Sequence, residues 1–165
     1  MLFIPDMLSV ENIYAWLEEV KDPEIPVLSL VDLGIIRAVV VDGEEISIVI
    51  TPTFVGCPAL EMMKTEIAEL LMKKGASKVD ITVSYSKPWS SDDISDKGKK
   101  ALKQFGLAPP PANTLIADLE ILEHAECPRC GTTNTELKSA FGATLCRSIY
   151  YCNNCRESFE QFKPL

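Results

Sequence analysis

The sequence predicts an α+β domain followed by a small metal-bound β ribbon. Three observations carry this. Two Cys-x-x-Cys knuckles, Cys127-Pro128-Arg129-Cys130 and Cys152-Asn153-Asn154-Cys155, lie near the C-terminus with 21 residues between them. Ahead of them, apolar residues at 3-4 spacing alternate with runs of period two, so helices and strands interleave. Between the two regions, Ala108-Pro109-Pro110-Pro111-Ala112-Asn113-Thr114 lacks three backbone donors and favours extended polyproline II. The expected units are an α+β domain over 8–107, a Pro-rich linker over 108–123 and a four-cysteine ribbon over 124–165.

The elements of the first unit follow in order. Ser9 can cap a helix whose apolar face is Val10, Ile13, Leu17 and Val20. Asp22-Pro23-Glu24-Ile25-Pro26 ends it. Ile35 to Val41 is rich in β-branched residues and reads as a strand, and Asp42-Gly43 is a hairpin turn. Ile46, Ile48 and Ile50 alternate as the return strand. After the loop Thr51 to Gly56, Pro58 opens a helix with the stripe Leu60, Met63, Ile67 and Leu70. Val79, Ile81, Val83 and Tyr85 form a third strand. Ser91, Asp92 and Asp93 start a last helix, with apolar positions Ile94, Ala101, Leu102 and Phe105, which Gly106 stops. The order α-β-β-α-β-α makes a small sandwich with its helices on one side of the sheet.

The knuckles carry the strongest chemical signal. Four thiolates from two tight turns close a tetrahedron around one metal ion, and a site with no open position is structural. The 21-residue spacing is one residue beyond the usual window, which a hairpin absorbs. Zinc is the default occupant; a single iron in the same cage would make a rubredoxin-like electron carrier. The bland alternative is four unrelated thiols or two disulfides. Cys146 is a fifth thiol here, either a spare ligand or, more simply, a buried strand residue. His124, the sole histidine, lies three residues before Cys127 and reads as a surface residue.

Composition narrows the classes. The chain has 165 residues, 47% hydrophobic and 24% charged, as ordinary soluble proteins do. No apolar run approaches the ~20 residues of a membrane span, and the N-terminus lacks the pattern of a secretion signal. A cytoplasmic protein with reduced thiols is expected, without membrane partners. The formal net charge is −8. Residues 124–165 hold five of the 16 basic and four of the 24 acidic groups, leaving −9 on the remainder. That balance disfavours a nucleic-acid partner.

Outside the ribbon, Cys57 in Gly56-Cys57-Pro58 stands at the expected start of the second helix. Free N–H groups and the helix dipole there lower a thiol pKa. Cys57 is either a metal-binding or sulfur-handling thiol, or a small residue filling a loop. Asp22 and Glu24 could complete an oxygen/sulfur site with it, or be solvated acids on a stiff connector, the commoner case. Glu61, in the first turn after Cys57, could assist, although the dipole favours acids there anyway. Trp89 anchors a partner or covers the core. No catalytic constellation is convincing with one histidine, and no Gly-rich phosphate loop is present.

Together these residues resemble a known family. Asp22-Pro23-Glu24-Ile25-Pro26 with Thr51-Pro52-Thr53 and Gly56-Cys57-Pro58 is similar to the iron–sulfur cluster assembly domain, from about Val10 to Phe105. Val31-Asp32-Leu33-Gly34-Ile35, Pro88-Trp89, Cys127-Pro128-Arg129-Cys130-Gly131, Phe141-Gly142, Phe159 and Phe162-Lys163 extend the likeness to nearly the whole chain. In this two-domain form it resembles the PaaD family of phenylacetyl-CoA epoxidase systems, which serve phenylacetate catabolism. The resemblance implies an accessory, non-catalytic role in assembling or inserting an iron–sulfur centre. Its partners would be the oxygenase and iron–sulfur reductase subunits. It implies Cys57 as the cluster or iron ligand, with Asp22 and Glu24 nearby, and Cys127, Cys130, Cys152 and Cys155 as zinc ligands. A transient iron–sulfur cluster or iron is then a second cofactor. One thiol cannot cage a cluster, so a homodimer or a client must supply further ligands. The alternative is general iron–sulfur assembly.

Overall fold

The computed structural model describes residues 8–111 and 125–163. The chain divides into two compact units, Met1–Trp89 and Ser90–Leu165.

In the first unit, helix α1 (Val10–Leu17) is capped by Ser9, whose hydroxyl accepts from the Asn12 amide at 3.2 Å. The helix is shorter than the apolar spacing implies, because Val20 is buried from the turn that follows. Strands β1 (Lys21–Asp22) and β2 (Ile25–Ser29) then form a two-stranded antiparallel pair that the sequence concealed. A proline inside a strand is confined to edges, and a pair with no further neighbour accommodates Pro26.

Strands β3 (Ile36–Asp42), β4 (Glu45–Ile50) and β5 (Lys78–Val83) make a sheet in the order β3-β4-β5. The β3–β4 hairpin closes on Asp42 paired with Glu45, so Gly43-Glu44 is its two-residue turn. Parallel pairing of β4 with β5 requires a crossover, which helix α2 (Leu60–Lys73) supplies. Ile46, Ile48 and Ile50 are buried at 0–1% exposure. Helices α1 and α2 touch each other, α1 also packs on β3, and α2 on β5. Ile13, Leu17, Met63, Ile67 and Leu71 supply the buried faces of these helices. Trp89 is buried too and donates its indole N–H to Leu33 O at 2.8 Å, so it covers the core.

The second unit begins ahead of the last predicted helix. Ser91–Asp93 is a 3-10 turn closed by a capping box between Ser90 and Asp93, and Ser95 caps the true helix α3 (Asp96–Phe105). Leu102 is buried and Phe105 is exposed. Gly106 ends the helix in the left-handed conformation. Strand β6 (Leu107–Ala108) follows at once. It joins β7 (Thr135–Ser139), β8 (Arg147–Cys152) and β9 (Ser158–Phe162) in one sheet, ordered β6-β9-β8-β7, with β6 parallel to β9. The linker expected over 108–123 therefore starts inside this sheet, and from residue 112 it lies outside the described residues, as does His124. No helix among the described residues is long and apolar enough to cross a membrane.

Candidate metal centre

The two knuckles fold alike. In the first, Cys127 N–H donates to Thr132 O and Gly131 N–H to Cys127 O, both at 2.9 Å. In the second, Cys152 N–H donates to Glu157 O and Arg156 N–H to Cys152 O, also at 2.9 Å. Each turn closes through a left-handed residue one past its second cysteine, Gly131 at φ 72° and Arg156 at φ 62°. Only glycine adopts that region without steric cost, so the second knuckle holds a strained arginine.

These turns bring Cys127, Cys130, Cys152 and Cys155 together, with all four sulfurs within 4.8 Å of one another. Cys127 Sγ lies 3.7 Å from Cys155 Sγ, and Cys130 Sγ 3.6 Å from Cys152 Sγ. A tetrahedral metal with bonds of about 2.3 Å to sulfur has edges of about 3.8 Å between its ligands. The donor set and spacing thus fit a four-thiolate metal site. Cys127 and Cys152 are fully buried, Cys155 is half-buried and Cys130 is exposed. The thiols differ electrostatically. The Thr132 backbone amide and the Asn154 side-chain amide hold Cys130 down to about 6. Burial, with its cysteine neighbours, pushes Cys155 up to about 12. A bound cation would favour the thiolate at all four positions.

A small core stands behind the sulfurs. Ala108, Ala125, Tyr150 and Phe159 pack with Cys127 and Cys152, and the Tyr150 and Phe159 rings stack with centroids 5.6 Å apart. Thr135 donates its hydroxyl to Ala125 O at 2.6 Å, tying β7 to the approach of the first knuckle. Cys146 is buried but is not in the sulfur cluster. It precedes β8, which Cys152 ends, and six strand residues span roughly 20 Å.

The sequence marked the four clustered cysteines through their spacing but missed Asn154. Its Nδ2 lies 3.6 Å from Cys130 Sγ, reaching across from the opposite knuckle. Two adjacent amides inside a knuckle are the one hint the sequence offers.

The other candidates lie in the first unit. Cys57 is half-buried and in no disulfide, in the turn that leads to α2. Its carbonyl accepts from the Leu60 amide at 3.2 Å, while the helix takes Ala59 as its cap, without a side-chain cap bond. Neighbouring Val55 and Met62 are 79% and 54% exposed. Asp22 is nearly buried, and its Oδ1 accepts from the Glu24 and Ile25 amides at 2.8 and 2.9 Å, which shapes the β1–β2 turn. Glu24 is exposed. Glu61 pairs with Lys64 at 3.0 Å along α2. Among the described residues the ribbon cysteines form the one group of three or more candidate ligands, so Cys57, Asp22, Glu24 and Glu61 are not gathered into such a group.

Comparison with known proteins agrees with this division. Residues 10–85 match the family described as iron–sulfur cluster assembly protein, and residues 114–163 match the PaaD zinc beta ribbon domain. A protein of Escherichia coli (strain K12), provisionally named as one of the subunits of 1,2-phenylacetyl-CoA epoxidase, is 38% identical over 154 residues, covering 93% of this chain and 92% of that protein. The Fe-S protein maturation auxiliary factor YitW of Bacillus subtilis (strain 168) is 33% identical over 94 residues, 56% of this chain and 91% of that protein. A crystal structure of a domain of unknown function from Bacillus anthracis superposes with a TM-score of 0.53 at 29% identity, covering 56% of this chain and 89% of that one. With its assembly-type domain, its four-cysteine ribbon and a relative matched over 92% of that protein's length, the chain belongs to the PaaD family of phenylacetyl-CoA epoxidase proteins.

Proposed function

We propose that this protein is an accessory factor that helps mature an iron–sulfur centre in a phenylacetyl-CoA epoxidase system. The observation that carries the reading is the pairing, in one chain, of an assembly-type domain bearing Cys57 with a closed four-thiolate ribbon. The ribbon holds zinc and serves structure, since four thiolates leave no position for a substrate. Chemistry falls to Cys57. It sits half-buried in the turn ahead of α2, a thiol available to iron and sulfur chemistry. A single thiolate holds iron only in company, so its cargo passes on when a client supplies the remaining ligands. Exposed Val55 and Met62 flank this thiol in sequence and give a client apolar surface to cover.

The test is to co-express the epoxidase reductase with wild type or Cys57→Ser and to measure iron and acid-labile sulfide in the purified reductase. With Cys57→Ser, the expected result is reductase cluster content near that seen without this protein, while the variant keeps its fold and one zinc per chain. A fully loaded reductase would overturn the role of Cys57. A second reading, general iron–sulfur assembly, draws on the likeness of the first unit to maturation auxiliary factors. An unrelated iron–sulfur enzyme matured equally well in the same co-expression favours it.

A further inference from the structure

The two knuckles are near copies, and the places where they differ are informative. Position by position, Cys127 matches Cys152, Arg129 matches Asn154, Cys130 matches Cys155 and Thr132 matches Glu157. The backbone obeys this symmetry, with the same pair of hydrogen bonds at 2.9 Å in each turn. The sulfurs obey it in part: the amide of Thr132 serves Cys130 as that of Glu157 serves Cys155. Side chains break it. Asn154 turns across the site and places Nδ2 3.6 Å from Cys130 Sγ. Its counterpart Arg129 extends toward Glu157, with 3.6 Å between Nη1 and Oε1. Burial breaks it again, for Cys130 is exposed while Cys155 is half-buried and the other two sulfurs belong to fully buried residues.

We propose that the metal centre opens at Cys130, and that Asn154 is the positioning residue holding this ligand in place. An incoming chelator or protein thiol reaches the metal through a ligand that solvent can touch, and of the four Cys130 is the most exposed, ahead of half-buried Cys155. Detachment breaks the metal–sulfur bond heterolytically. The thiolate keeps the electron pair, and the competing ligand supplies the pair that replaces it. A hydrogen bond to a coordinating thiolate disperses its charge, fixes its direction and shields it from electrophiles. Partners of this kind commonly change metal affinity 10–100-fold when removed. Asn154 makes the bond from the opposite knuckle, so it also ties the two turns together at the exposed edge. The inference concerns exchange of the ribbon metal and rests on its being zinc.

The test uses the full zinc-loaded chain. Zinc release to a chromophoric chelator is followed in time, and iodoacetamide labelling of each cysteine is read by peptide mass spectrometry. In wild type, Cys130 is expected to label first among the four ligands. Asn154→Ala should release zinc about tenfold faster and label Cys130 faster, with Cys127 and Cys152 still last. Asn154→Asp, which sets a carboxylate beside the thiolate, should release faster still. Arg129→Ala, the symmetry-related control, should match wild type. Another cysteine labelling first, or equal release from Asn154→Ala and wild type, overturns the proposal. Wild-type protein purified without zinc would instead overturn the zinc reading beneath it.

Discussion

Arg156 occupies the place that Gly131 fills in the sister knuckle, and its left-handed backbone has a measurable cost. Replacing it with glycine should raise the stability of the metal-loaded protein by about 1 kcal/mol, read as a higher midpoint in thermal unfolding. Gly131→Ala should lower it by a similar amount, about 1 kcal/mol. The thiols give a pH prediction. Metal uptake displaces protons, so affinity falls as pH falls. Cys130, held at about 6, is already mostly thiolate at pH 7, whereas Cys155, raised to about 12, must surrender its proton to the metal. Acidification below about 6 adds Cys130 to the competition, so zinc retention should fall more steeply there than between pH 7 and 8. Zinc bound after equilibrium dialysis across that range checks the sign. At this scale the sequence was eloquent about which cysteines gather into one cluster, because knuckle spacing is a local property. It was silent about Asn154, because which side chain turns toward a sulfur depends on how two distant turns face each other.

Strand β8 shows what one element decides. Cys146 stands before it and Cys152 at its end, so two cysteines six residues apart have different fates. Cys146→Ser should keep one zinc per chain, whereas Cys152→Ser should lose it; metal analysis of the purified variants separates them. The long elements were legible. The alternation of β4 and the Met63 and Ile67 part of the α2 stripe follow from periods of 2 and 3.6, whereas Leu71 rather than the expected Leu70 is buried, and the β3–β4 turn follows from Asp42-Gly43. The short ones were hidden for physical reasons. β1 and β2 are edge strands, and Pro23 between them and Pro26 inside β2 read as breakers. Ser91-Asp92-Asp93 has the composition of a helix start but spends it on a 3-10 turn, leaving Ser95 to cap α3. β6 is two residues long, and its partner lies 53 positions away, where no local pattern reaches.

For the whole molecule, the two units depend on different sources of stability. The first buries a row of isoleucines and leucines against two helices. The core behind the knuckles is small and includes two of the ligands themselves. Removing the metal with a chelator at neutral pH should therefore unfold the ribbon and leave the helical circular dichroism of α1 and α2 in place. Loss of both signals together would show that the units unfold as one. The acidic charge, read from composition, concentrates in the part of the chain ahead of the ribbon, where it would repel a phosphate backbone.

The pairing of β6 with β9 bears on how the protein can be cut. A fragment beginning at residue 114 or 124 holds every sulfur ligand yet lacks Leu107 and Ala108, the residues that sheathe one flank of β9. That flank would then present bare amides and carbonyls to any passing strand, a template for self-association. A fragment starting at Ser90 carries its own cover and should stay monomeric at concentrations where the shorter one precipitates.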